Sequence, residues 1–255
     1  MVKGLYTAYT GMVNEQNRMD IMTNNASTVG YKKEGSTSQS FNDVLTVKIK
    51  DQSVGMRNVQ RIGIKNPGVK IGENYTDYTQ GSFRITDNTY DLALAGDGFF
   101  AIEFTNKAGE TDTKYTRAGQ FTLNKDGYLV TEEGDYVLDT QNRRIRLNTL
   151  LDSKITDDGT IYQNDQAVAR IQVTDFEDYD YLEKYGETYY QPIEGAKTTT
   201  ADAQVKSGYL EMANVQIVSE MVNLISITRA YESNQKVVQT IDGTLDVAAN
   251  QIGKL

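Results

Sequence analysis

Between Asn214 and Leu255 the chain reads NVQIVSEMVNLISITRAYESNQKVVQTIDGTLDVAANQIGKL, and the hydrophobic period of this stretch decides the fold. Alternate steps of three and four from Ile217 pass through Glu220, Leu224, Ile227, Tyr231, Asn234, Val238, Ile241, Leu245, Ala248 and Ile252. Nine of these eleven positions are apolar, and the repeat holds over five heptads with no proline and one interior glycine, Gly243. Such a pattern predicts a helix of coiled-coil type. At the helical rise, Val215 to Gln251 spans roughly 55 Å. A rod that long exceeds what one domain needs for its own core, so much of the stripe is expected to meet another helix, from this chain or a neighbour. The plainer reading is a long helix packed on its own domain alone. Glu220 and Asn234 interrupt the seam, where a polar residue can fix register and partner number at a cost in stability.

Residues 3 to 25 carry a second amphipathic pattern. Leu5, Ala8, Met12, Met19, Met22 and Ala26 lie along one stripe, with Asn14, Gln16, Asn17, Arg18 and Asp20 elsewhere. Three methionines make that stripe adaptable and a natural partner for the C-terminal helix. The two patterns sit at opposite ends of the sequence, so if they pair, the whole middle must leave and return at one place. Small polar residues and Gly30 end the first pattern between Thr23 and Lys32. Residues 34 to about 70 are polar, with short apolar pieces from Phe41 to Ile49 and Val59 to Ile64, and read as an extended linker with little core of its own.

From Val69 to about Ala203 the texture changes to short strand-like runs punctuated by glycine turns, the pattern of an all-β domain. The runs are Tyr90 to Ala95, Phe99 to Phe104, Gly119 to Leu123, Tyr128 to Thr131, Tyr136 to Leu138, Arg144 to Leu147, Thr160 to Tyr162 and Val168 to Thr174. Asn124-Lys125-Asp126-Gly127 predicts a tight hairpin, because Asp-Gly supplies the positive φ such turns need. Lys206 to Met212 reads as one more extended segment, with Asn214 as N-cap of the long helix. The expected class is therefore α+β, with N- and C-terminal helices pairing as a coiled coil around an inserted all-β middle domain. Its expected parts are residues 1–33 and 208–255 as a discontinuous coiled-coil assembly domain, 34–68 as linker, and 69–207 as a β-rich domain.

Composition narrows the function. The chain has 255 residues, a net charge of −9, and no cysteine, histidine or tryptophan. Disulfides, thiolate chemistry and histidine-dependent metal or acid–base sites are excluded. Charges are scattered, without the basic patch that phosphate backbones require, so nucleic acid is not an expected partner. The first residues lack the charged leader and apolar block of a signal peptide, and no stretch reaches the ~20 apolar residues of a membrane span.

Local motifs add no chemistry. Gly96-Asp97-Gly98-Phe99-Phe100-Ala101 matches the letters of a dinucleotide fingerprint, but that motif must open a helix. Phe99 to Phe104 alternates as a strand instead, so the glycines read as a hairpin turn. Asp175, Glu177, Asp178, Asp180 and Glu183 lack the glycine and glutamate of a calcium loop at the required positions, which hold Asp180 and Gly186. They read as a solvated acidic face on a loop or short helix. No G-x-S-x-G or S-x-x-K singles out a nucleophile. The expectation is no enzyme, no cofactor and no metal.

Several segments together resemble the flagellar hook/basal-body rod family of bacterial axial proteins. At the start these are Gly4-Leu5-Tyr6-Thr7-Ala8, Gly11-Met12, Gln16, Asp20, Asn24-Asn25 and Thr28-Val29-Gly30-Tyr31-Lys32. The middle adds Gln80-Gly81, Phe83, Asp91-Leu92-Ala93-Leu94, Gly96-Asp97-Gly98-Phe99-Phe100, Tyr115-Thr116-Arg117-Ala118-Gly119, Leu123-Asn124 and Asp126-Gly127. Near the end stand Gly208-Tyr209-Leu210-Glu211, Asn214-Val215, Glu220 to Ile225 and Arg229-Ala230-Tyr231-Glu232. One departure is visible: the turn between Asn25 and Gly30 is shorter than the family's pattern.

The resemblance implies terminal helices pairing as an inner coiled coil, a β domain facing outward, and subunits stacked into a hollow helical tube. It implies as partners further copies of the chain, other rod and hook subunits, and the flagellar type III export apparatus, with location in the basal body. Length and the single β-rich middle point to a rod subunit, which transmits motor torque to the hook. The assembly interface is then expected at Leu5, Met12, Met19, Ile217, Leu224, Ile227, Tyr231, Asn234, Val238, Ile241 and Leu245. Competing readings are the hook or another axial paralogue, or a cell-surface adhesive β-domain protein.

Overall fold

The computed structural model describes residues 2–25, 31–40, 68–106, 109–186 and 188–250. Two α-helices, α1 (Val2–Asn24) and α2 (Ile217–Asn250), flank the strands in sequence. The first strands are β1 (Lys33–Ser40), β2 (Val69–Asp77), β3 (Phe83–Ile85), β4 (Leu92–Ala95), β5 (Phe99–Thr105) and β6 (Thr111–Thr116). Next come β7 (Phe121–Leu123), β8 (Leu129–Thr131), β9 (Tyr136–Val137), β10 (Ser153–Ile155), β11 (Thr160–Gln163) and β12 (Gln166–Arg170). A short 3-10 helix, Tyr179–Tyr181, separates β13 (Val173–Phe176) from β14 (Leu182–Tyr185). The last are β15 (Tyr189–Pro192), β16 (Thr198–Thr200), β17 (Gln204–Ser207) and β18 (Tyr209–Glu211).

The expected α+β class needs correction, because the chain is mostly β: eighteen strands stand against two α-helices among the described residues. Part of the excess comes from the stretch read as linker, where β1 pairs with β2, the first strand after it, in a sheet of their own. The cause is polar pairing that apolar periodicity cannot reveal. Thr37 Oγ1 accepts from the Glu73 amide at 2.9 Å, and Gly35 lies directly under the Tyr75 ring. The shortened turn at 26–30 and the apolar pieces between 41 and 64 lie outside the described residues. At the turn's near end the Asn25 side chain binds the Glu34 backbone twice, donating to its carbonyl and accepting from its amide, both at 2.8 Å.

The chain divides into two compact units. The helical unit comprises Met1–Asn25, Glu34–Asp77 and Gln216–Leu255. Within it α1 and α2 pack against each other. Gly4 faces Ile241 and Gly11 faces Asn234, so the helices run antiparallel. Ala8, Ile21, Ile227 and Glu220 are buried, and Leu5, Met12, Met19, Leu224, Tyr231, Asn234, Val238 and Ile241 are half-buried. On the other side of α1, Asn14 accepts from Ser38 Oγ at 3.0 Å and Asn17 donates to Ser36 Oγ at 3.2 Å, both on β1. Asn214 does not cap α2. The helix starts at Ile217, and the Gln216 carbonyl takes its first bond, from the Glu220 amide at 3.0 Å.

The β-rich unit comprises Ala26–Lys33 and Tyr78–Val215. Its nine-stranded sheet runs β14-β15-β6-β5-β9-β8-β7, with β13 pairing β5 and β16. Smaller sheets are β10-β11-β12, β17-β4 and β18-β3. The hairpin at Asn124–Gly127 forms as expected: Phe121 pairs Thr131 and Leu123 pairs Leu129, Gly127 takes φ of +80°, and Asn124 Oδ1 accepts from the Asp126 and Tyr128 amides. Gly96 to Gly98 is a sharp connection but no hairpin, since β4 pairs β17 while β5 pairs β6, β9 and β13. Consecutive residues of β5 feed two cores, as alternation in a strand requires. Phe100 joins Leu92, Leu94, Phe121, Leu129 and Ile161, and Phe99 and Ala101 join Phe176, Leu182 and Tyr190.

Candidate functional site

Three charged side chains meet in the interior of the β-rich unit. Lys32, Arg117 and Glu211 are 1%, 3% and 0% exposed. Glu211 ends β18, whose pairing with Phe83 of β3 turns it inward; Arg117 follows β6; Lys32 precedes β1. Glu211 Oε1 lies 2.6 Å from Lys32 Nζ and accepts from the Gly81 amide at 3.0 Å. Its Oε2 lies 3.4 Å from Arg117 Nη1. Arg117 Nη2 donates to the Gly96 carbonyl at 2.9 Å, and its guanidinium sits 5.6 Å from the Phe99 ring centre. Lys32 Nζ also donates to the Thr79 carbonyl at 2.9 Å. Asn214 completes the cluster, accepting from the Lys33 amide at 2.8 Å and donating to the Thr79 carbonyl at 3.0 Å.

Only glycine fits at position 81, where an added Cβ would stand 1.8 Å from the Met212 carbonyl oxygen. That close approach brings the Gly81 amide to Glu211. Burying a carboxylate costs several kcal/mol unless it is paired and hydrogen-bonded, and this one is held by two cations and a backbone amide. The arrangement ties together segments 31–33, 79–81, 96–99, 117 and 211–214 of one unit. It offers no exposed polar group to a substrate.

Several acids elsewhere are likewise engaged. Hydrogen bonds from Thr156 and Thr160 hold the Asp158 carboxyl below the usual carboxylate range, and Lys206 Nζ lies 3.1 Å from Asp157 Oδ2. Both acids line a cleft with Arg170, Thr200 and Gln204. In the acidic segment considered as a calcium loop, three of the five carboxylates turn to separate partners. Asp175 accepts from the Tyr179 hydroxyl at 2.8 Å, Glu177 lies 3.4 Å from Lys197, and Asp178 accepts from the Asp180 amide at 3.0 Å. Burial, with Asp175 adding to it, pushes the Tyr179 phenol well above its ordinary pKa.

The residues expected at the assembly interface divide by place. Leu5, Met12, Met19, Leu224, Ile227, Tyr231, Asn234, Val238 and Ile241 are packed or half-packed in the helical unit, while Ile217 and Leu245 remain 47% and 40% exposed. Helix length explains the split. With 34 residues against 23, α2 is about 16 Å longer than α1 and overhangs it. A second row on α2 lies outside the seam altogether: Val218, Met221, Val222 and Ile225 are each more than half exposed. The row is invisible to the seam's period, which marks a single face of the helix. Lys32, Arg117 and Glu211 were in plain view as letters of three motifs, each the single charge within its motif.

Paired terminal helices with an uncovered apolar row, and motif residues committed to internal ties, define a structural assembly subunit. A family profile described as the C-terminal part of the flagellar basal-body rod FlgEFG protein matches residues 206–252, and one described as the flagellar hook protein FlgE/F/G D1 domain matches residues 93–163. The chain is 33% identical to the flagellar basal-body rod protein FlgG of Bacillus subtilis (strain 168), covering 98% of this chain and 99% of that one. It is 32% identical to the flagellar basal-body rod protein FlgF of Caulobacter vibrioides, covering 100% of this chain and 98% of that one. The chain belongs to the flagellar basal-body rod protein family, structural components of the bacterial flagellum.

Proposed function

We propose that this rod subunit polymerises into a hollow helical tube that carries motor torque to the hook, without enzymatic activity of its own. The observation that carries the reading is the uncovered row on α2, Val218, Met221, Val222 and Ile225, beside the overhanging seam residue Ile217. A contiguous apolar patch on an exposed helix marks a protein contact. A head-to-tail contact that does not close by rotation builds an open filament from two different surfaces of each subunit. On this reading the seam residues Leu5, Met12, Met19, Leu224, Ile227, Tyr231, Asn234, Val238 and Ile241 act by holding the helix pair that displays the row. Other rod and hook subunits are the heterologous neighbours at the two ends of the stack. Delivery is by the flagellar type III export apparatus, which a chain without cysteine suits.

The test is electron microscopy of basal bodies from cells whose sole copy carries Val218→Asp and Val222→Asp. Rods that stop short and lack a hook are expected, while the purified variant keeps the circular dichroism of the parent. Full-length rods on motile cells would overturn the assignment of the row.

A further inference from the structure

Glu211 is shared unequally between its two cations. Oε1 has both good donors, Lys32 Nζ at 2.6 Å and the Gly81 amide at 3.0 Å. Oε2 faces Arg117 Nη1 at 3.4 Å without forming a hydrogen bond, and Arg117 Nε also donates to no acceptor. A guanidinium fork and a carboxylate oxygen thus stand opposite each other in the interior, neither fully used. Arg117 is meanwhile anchored independently, by Nη2 on the Gly96 carbonyl and by Phe99 beneath its cation. The segment that carries Lys32 differs. It follows α1 of the helical unit and runs into β1, which returns to that unit from Glu34 onward. The side-chain ties that fasten it include Lys32 to Glu211 and to the Thr79 carbonyl, Lys33 N to Asn214 Oδ1, and the Tyr31 ring 3.8 Å under Lys184 Nζ.

We infer that Arg117 is a reserve partner for Glu211, which lets the Tyr31–Lys33 strap leave the β-rich unit without stranding a buried carboxylate. When Lys32 withdraws, Arg117 closes the remaining gap and takes Glu211 in the two-bond fork its planar guanidinium favours. Glu211 keeps its bond to the Gly81 amide throughout, so β18 stays paired with β3. The strap is therefore a releasable fastening between a segment continuous with the terminal helices and a unit that remains folded without it. The inference rests on this geometry and not on the proposed polymerisation.

Amide hydrogen exchange on the full chain tests it, because it reads local opening residue by residue. Lys32→Met is expected to speed exchange at the Lys33 amide by about tenfold or more while the Gly81 and Leu210 amides change by less than about threefold. Adding Arg117→Gln to Lys32→Met is expected to release Gly81 and Leu210 too, or to prevent folding of the unit. Three results overturn the proposal. In Lys32→Met the Gly81 amide opens together with Lys33; or neither amide changes; or the Lys32→Met chain fails to fold although Arg117 is present.

Discussion

Asp139 shows how one side chain can hold a turn. Its Oδ1 accepts from the Gln141 and Arg143 amides at 2.8 and 2.9 Å, and its Oδ2 from Arg143 Nε and Nη2 at 3.1 and 2.9 Å. Burial works to raise its carboxyl, but the Arg143 and Gln141 bonds outweigh it, leaving the pKa below the ordinary value of 3.8. Because the folded pKa is the lower one, the stabilisation is complete above 3.8 and is lost as pH falls through the folded value. Urea midpoints of wild type and Asp139→Asn should differ most near neutrality and converge as pH falls below 3.8. A gap that stays constant across that range would count against the assignment. The Lys32–Glu211 tie could not be read in the same way. Asp139 and Arg143 are four positions apart, whereas Lys32 and Glu211 are 179 apart, and no spacing rule connects residues at that distance.

Among the elements, the helix pair was the most legible, since a 3.5-residue period is a local property of sequence and survives into packing. Asn234 was visible as a break in the seam. Its complement, Gly11, was not, because a missing side chain gives no periodic signal. The two face each other: a Cβ on Gly11 would lie 2.9 Å from Asn234 Nδ2. At Gly243 an added Cβ would meet nothing within 4 Å. Both substitutions to alanine gain up to ~1 kcal/mol of helix propensity. Gly243→Ala should raise the melting temperature of the helical signal, whereas Gly11→Ala should lower it or leave it unchanged by displacing Asn234. Gly11→Ala combined with Asn234→Ala should recover the gain. Equal stabilisation by the two single changes would show that the Gly11–Asn234 contact fixes nothing. Sheet β1-β2 stayed hidden for the opposite reason: Thr37, Ser36 and Ser38 work through hydrogen bonds, which hydropathy does not register.

For the whole molecule, division into two units implies two separable losses of structure. Ile227 is 3% exposed in the helical unit, so a charge there breaks the pair, at a cost above the ~2–5 kcal/mol of truncating a core isoleucine. In Ile227→Asp the far-ultraviolet helical signal should fall while the near-ultraviolet tyrosine signal, dominated by the ring cluster of Tyr78, Tyr179 and Tyr190 around Phe99, persists to the wild-type urea midpoint. Simultaneous loss of both would mean the units do not fold independently. The pairing of α1 with α2 also sets a clock. Translation proceeds at roughly 5–20 residues per second, and residues 25–216, three quarters of the chain, separate the two helices. The helix synthesised first therefore waits about ten seconds or more for the one synthesised last. Over that interval Leu5, Ala8, Met12 and Met19 form an apolar stripe without its mate, so the nascent chain calls for a shielding factor at its leading end from the moment it emerges.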